Sequence, residues 1–134
     1  MRSVMLFMCL LAATACDEKS PVGPTAALNE RFTLAPLETA TIRDADLLVQ
    51  FVEVTGDSRC PADAVCIQGG DALVHIRVRD GGTFFPYELH TGDSSRATVT
   101  HRQTRIALVN LQPYPFSSRT IASSEYRATL TVTR

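Results

Sequence analysis

The stretch DALVHIRVRDGGTFFPYELH, residues 71–90, decides the fold. In its first half Ala72, Val74, Ile76 and Val78 alternate with His75, Arg77 and Arg79. A period of two places the apolar set on one face of a strand and the polar set on the other. Asp80-Gly81-Gly82 then supplies residues that tolerate the positive φ of a tight hairpin, and Thr83–His90 reads as the returning strand. Pro86 assigns that second strand to a sheet edge or a bulge, because proline cannot donate to an inner ladder.

The same period extends outward from this hairpin. Upstream lie RFTLAP, ETATIRD and DLLVQFVEVT, the last with Leu47, Val49 and Phe51 alternating with Leu48, Gln50 and Val52. Downstream, RATVTH and RIALVNL precede EYRATLTVTR, in which Tyr126, Ala128, Leu130 and Val132 share a side. No ten-residue stretch of this region keeps a helical apolar stripe with caps. The sequence therefore predicts an all-β domain over residues 29–134, a two-layer antiparallel β-sandwich, Ig-like or jelly-roll-like, of about eight short strands. A closed barrel is the other all-β solution, but nothing in the chain resembles the lining of a ligand-holding barrel.

Length and composition agree with one globular domain: 134 residues, 45% hydrophobic and 20% charged. Net charge is −1, and Lys19 is the only lysine among 13 basic residues. That balance offers no electrostatic footprint for nucleic acid.

The first sixteen residues, MRSVMLFMCLLAATAC, read as an export leader. Arg2 precedes an apolar run from Val4 to Ala13 and a small-residue site, too short for a stable transmembrane helix. Ala13-Thr14-Ala15 fits ordinary A-x-A processing, and the same residues resemble a bacterial lipobox with Cys16 lipidated, although Ala13 stands where a lipobox usually carries leucine. Lipidation is the expectation. A lone free thiol is a liability in an oxidising compartment, and DEKSPVGPTAA after it is polar and rich in Pro and Gly, as a tether should be. Residues 1–15 are thus read as a signal peptide and 16–28 as lipidated cysteine and tether. The protein is expected in the bacterial cell envelope, lipid-anchored and periplasmic or surface-facing.

Cys9 leaves with the leader, so Cys60 and Cys66 remain in the domain. Five residues separate them, against the two of a thioredoxin-like pair, and two cysteines fall short of the four ligands of structural zinc. In an exported chain they are expected to form a disulfide closing CPADAVC, worth about 2 kcal/mol in the loop-entropy account.

DSRCPADAVCIQGGDALVHI, ALVNLQPYPF and YRATLTVTR together resemble a group of small bacterial secreted or lipid-anchored proteins. Their signature is a D-S-R-C-P run, a second Cys, a Gly and a following strand, with a PYP-type turn before the last strand. The resemblance implies a compact β domain on a lipidated tether and carries no established activity. Where those proteins often show Trp-Ala-Gly, this chain has Gln68-Gly69-Gly70.

Asp57, Arg59 and Asp63 lie in or beside the Cys loop and are the candidate contact residues, since a rigid loop lowers the entropy cost of binding. The plainer reading of the same residues is Asx-type turns at the two aspartates and an ion pair at Arg59. Asp57, Asp63 and Asp71 match no dedicated calcium loop. His75, His90 and His101 read as solvent-facing strand histidines, so no metal ligand and no cofactor is assigned. There is no G-x-S-x-G elbow, and the serines sit in turns; a non-enzymatic role is expected. The sequence points to an envelope binding or interaction module acting on an envelope protein or ligand, or alternatively to a small periplasmic inhibitor or ligand-sequestering protein.

Overall fold

The computed structural model describes residues 23–134. The leader read over 1–15, the anchor at Cys16 and the tether as far as residue 22 lie outside the described residues. Nine strands are present among the described residues: β1 (Thr25–Ala26), β2 (Arg31–Leu34), β3 (Thr39–Ile42), β4 (Leu47–Asp57), β5 (Ala72–Asp80), β6 (Thr83–His90), β7 (Thr98–His101), β8 (Thr104–Gln112) and β9 (Arg127–Thr133). They form a β-sandwich of two sheets, ordered β1-β3-β4-β5-β6 and β2-β9-β8-β7.

The hairpin that set the reading forms as expected. Asp80 pairs with Thr83 across Gly81 and Gly82, whose φ angles are +56° and +92°. Pro86 lies on β6, the edge strand of its sheet. Alternation also places the core. Ala72, Val74, Ile76 and Val78 of β5 and Leu47, Val49 and Phe51 of β4 are buried against Ile106, Ala128, Leu130 and Val132 of the other sheet. A core of this density is what holds a domain of such size together.

Eight of the strands fall where the period of two put them. The ninth, β1, lies inside the stretch read as tether: Thr25 and Ala26 pair in parallel with Thr41 and Ile42, and Ala26 is buried. The domain therefore begins before residue 29. Two alternating residues are too few to register as a strand in the sequence, and neighbouring Pro and Gly masked them.

The topology gives the molecule two unlike ends. One end carries the Arg43–Asp46 turn, the Gly81-Gly82 hairpin and the turn between β7 and β8. The other carries the Cys loop between β4 and β5, the turn after His90 and the connector after Gln112, while the connector from Leu34 to Thr39 passes beside the middle of β4, where Leu37 N donates to Phe51 O. Two register shifts, between Phe51 and Glu53 and between Val54 and Gly56, bend β4 as it approaches that second end.

Candidate functional site

Cys60 and Cys66 are joined by a disulfide, with Cα atoms 5.9 Å apart. The loop it closes is held at its base by strands and at its flank by a second loop. Cys60 N donates to Gly69 O at 2.9 Å, and Ser58 N to Asp71 O at 2.7 Å. From the connector after Gln112, Pro115 O accepts from Ala62 N at 2.9 Å, and Ser117 N and Oγ donate to Asp63 Oδ1 at 2.9 and 3.0 Å. The Cys loop and the Pro113–Ser117 segment are thus one unit.

Arg59 and Asp57 pin this unit from beneath. Arg59 Nε and Nη2 fork onto the two Asp57 carboxylate oxygens at 2.8 and 2.6 Å; Nη1 donates to Leu111 O at 2.8 Å and Nη2 to Pro113 O at 2.9 Å. Tyr126 OH donates to Asp57 Oδ2 at 3.0 Å, and the Tyr114 ring lies 5.2 Å from the guanidinium carbon. Burial pushes the Asp57 carboxyl upward, but the hydrogen bonds and charge of Arg59, with the Tyr126 hydroxyl, outweigh it and hold it below the usual carboxylate range. Burial, together with the Asp57 charge, pushes the Tyr126 hydroxyl up to about 12.

Of the three candidate contact residues, then, only Asp63 offers its carboxylate to solvent; Asp57 is exposed as a residue, but its side chain is only 11% exposed. Arg59 is 7% exposed and Asp57 is consumed by it. The expectation of a charged contact set gives way to an internal fork that ties β4 to β8 and β9. The plainer alternative, an Arg59–carboxylate pair, is what the chain builds.

The exposed groups are instead apolar. Val65 and Ile67 are 104% and 105% exposed, and Tyr114 and Phe116 beside them are about half exposed, at 48% and 51%. The signal for this was present in the sequence: Val65 and Ile67 flank Cys66 in a turn-rich segment that follows no strand period and so has no core to enter.

Asp71 organises the neighbouring turn. Its Oδ1 accepts from Thr91 N at 2.9 Å and Gly92 N at 2.7 Å, and its Oδ2 takes His90 Nδ1 at 2.5 Å. Burial works against the charge here, and the Gly92 amide, the His90 ring and the Thr91 hydroxyl overcome it, holding Asp71 at about 2. Asp57, Asp63 and Asp71 are each engaged by their own donors rather than converging on one point.

The histidines depart from the solvent-facing reading. His90 is buried, with Glu88 Oε1 2.9 Å from Nε2 and Arg96 Nη2 2.6 Å from Nδ1. His101 is buried between Tyr87 OH, 2.9 Å from Nδ1, and Asp80 Oδ2, 3.0 Å from Nε2. Only His75 is half exposed, with Thr55 Oγ1 2.6 Å from its Nε2. His90 ends a strand and His101 directly precedes Arg102, places that read as solvent-facing; in the fold the β6–β7 turn covers His90 and the opposite sheet covers His101.

A cleft of about 480 Å³ runs between the base of the Cys loop and the turn after His90, lined by Arg59, Gly70, His90, Gly92 and Tyr114 among others. Its charged groups are already paired within the protein, and among the described residues no buried side-chain polar atom lacks a partner. The chain matches no family model, no curated protein and no solved structure.

Proposed function

We propose that the protein is an exported, lipid-anchored binding module of the bacterial cell envelope, tied to a membrane through Cys16 and meeting its partner with the Cys60–Cys66 loop. The observation that carries this reading is the loop itself: two fully exposed aliphatic side chains on a segment fixed by a disulfide and a docked neighbour. Exposing Val65 and Ile67 to water is unfavourable, and a rigid loop loses little entropy when it binds. The export leader, the disulfide and the resemblance of the Cys-loop and PYP segments to small exported bacterial proteins support the same address.

Two measurements test this. Palmitate labelling is expected for the wild type and absent from Cys16→Ser; an unlabelled wild type overturns the anchor. The unacylated chain from residue 16 is expected to cosediment with isolated envelopes. A Val65→Ser, Ile67→Ser variant should do so severalfold less, and equal recovery of the two would remove the loop from the contact surface.

A further inference from the structure

Seven large apolar side chains are exposed among the described residues: Leu37, Val65, Ile67, Phe84, Val109, Tyr114 and Phe116. Four of them sit on connectors at one end of the sandwich. Val65 and Ile67 are on the Cys loop, and Tyr114 and Phe116 follow β8. Of the other three, Leu37 lies beside the middle of β4, where its N donates to Phe51 O, Phe84 lies beneath the Arg77 and Arg79 guanidinium groups, and Val109 is within β8. The opposite end is polar, its turns built from Arg43, Asp44, Asp46, Arg102 and Gln103, with Arg134 alongside.

The path of the chain favours the same end. β1 runs parallel to β3, and β3 is antiparallel to β4, which leads into the Cys loop. Pro24 O accepts from Thr41 N, and Gly23 packs on the Thr39 carbonyl, so β1 is entered from the Cys-loop side. Residues 16–22 number seven, and at full extension they span at most about 25 Å. An anchor at Cys16 therefore keeps a membrane within that distance of Gly23.

We infer that the apolar end rests on the lipid bilayer that holds the anchor, with Val65 and Ile67 entering the acyl region and Tyr114 and Phe116 at headgroup level. This deepens, and rests on, the anchored-module reading by naming the lipid surface as the partner of the Cys loop. The shape fits lipid better than protein, because the aliphatic pair stands on a convex tip rather than in a groove. Tyr114, on the segment docked beside it, joins an apolar ring to a polar hydroxyl and is suited to the polar–apolar boundary. Asp63 is the exposed charge of the loop, so the contact depends on apolar burial and not on anionic headgroups.

The chain contains no tryptophan, so Val65→Trp is a single fluorescent reporter at the tip and Gln103→Trp one at the polar end. The chain from residue 16 holds every residue of both sheets and the core. With Cys60 and Cys66 joined, Cys16 is the thiol that couples it to a maleimide lipid in phosphatidylcholine vesicles carrying brominated acyl chains. Insertion to about 5–10 Å brings position 65 within reach of the bromines, and its emission should fall roughly twofold. The Gln103→Trp signal should not change, and Ile67→Asp added to Val65→Trp should restore the emission. Equal emission from the two reporters, with or without bromine, overturns the inference and leaves a protein as the occupant of the tip. Because coupling supplies the anchor, that outcome leaves acylation of Cys16 standing. Quenching at position 65 without palmitate on Cys16 in the cell would instead overturn the anchor and leave the lipid contact.

Discussion

Four hydrogen bonds leave the Arg59 guanidinium, two to the Asp57 carboxylate and one each to the carbonyls of Leu111 and Pro113. Removing that fork strands a carboxylate and two carbonyls in a largely dry site. Arg59→Ala is expected to lower unfolding stability by about 3 kcal/mol, measured by chemical denaturation. Arg59→Lys should recover little of it, because an ammonium cannot make the planar fork. Asp71 acts through its acidity. Its folded-state value of about 2 lies below the ordinary 3.8, so it binds protons less readily folded than unfolded. The stability it contributes is therefore complete above 3.8 and lost as pH falls toward 2. Wild type should lose stability across that window in acid titration, and Asp71→Asn should start lower at neutral pH with a shallower acid slope. An unchanged slope would assign the acid sensitivity elsewhere, with Asp57, also depressed, as the next group to test. Neither role was readable in the sequence, since Arg59 meets Leu111 across 52 positions and Asp71 meets His90 across 19.

At the scale of elements, the Cys loop is closed by backbone contact as much as by sulfur. Gly70 has φ +68°, and a Cβ there would overlap the Ser58 carbonyl, whereas one at Gly69 meets nothing. Gly92 in turn lies close against the Gly70 carbonyl, which a Cβ there would meet. Gly70→Ala is thus expected to cost at least about 1–3 kcal/mol through strain and displaced backbone, while Gly69→Ala stays within about 0.5 kcal/mol of wild type. Paired thermal melts decide it, and equal losses at both sites would refute the close-approach account. The disulfide contributes differently. Cys60→Ser with Cys66→Ser should cost about 2 kcal/mol, while hydrogen exchange should rise chiefly within residues 61–68, because the Ser58–Asp71 and Asp63–Ser117 contacts still hold the base and flank. The spacing of the cysteines was enough to expect the ring. The apolar character of its tip follows from Val65 and Ile67, which flank Cys66 where no strand period directs them inward.

Across the whole molecule, His101 clasps the two sheets at one edge. It sits on β7 of the second sheet and meets Tyr87 and Asp80 of the first, with Arg102 Nε also 2.9 Å from Asp80 Oδ2. His101→Ala leaves the Tyr87 hydroxyl and one side of Asp80 without partners and opens space beside the Phe85 ring. A loss of about 2 kcal/mol is expected, with the transition still a single cooperative one. Early unfolding of the β7 edge alone would show that the clasp is local.

Sequence alone determined the layers: alternation along β4, β5 and β9 assigns each side chain to the core or the surface, and Gly81-Gly82 turns the chain back on itself. Those signals are local, carried by neighbours two residues apart, and need no knowledge of where the strand ends up. Tertiary structure decided which groups meet at the ends of the strands. It buried Arg59, His90 and His101 in positions that parity leaves open, and it drew Thr25–Ala26 into a sheet. It also gathered Val65, Ile67, Tyr114 and Phe116 at one end. The reason is geometric: connectors obey no period, and their partners are set by the strand order of a closed sandwich.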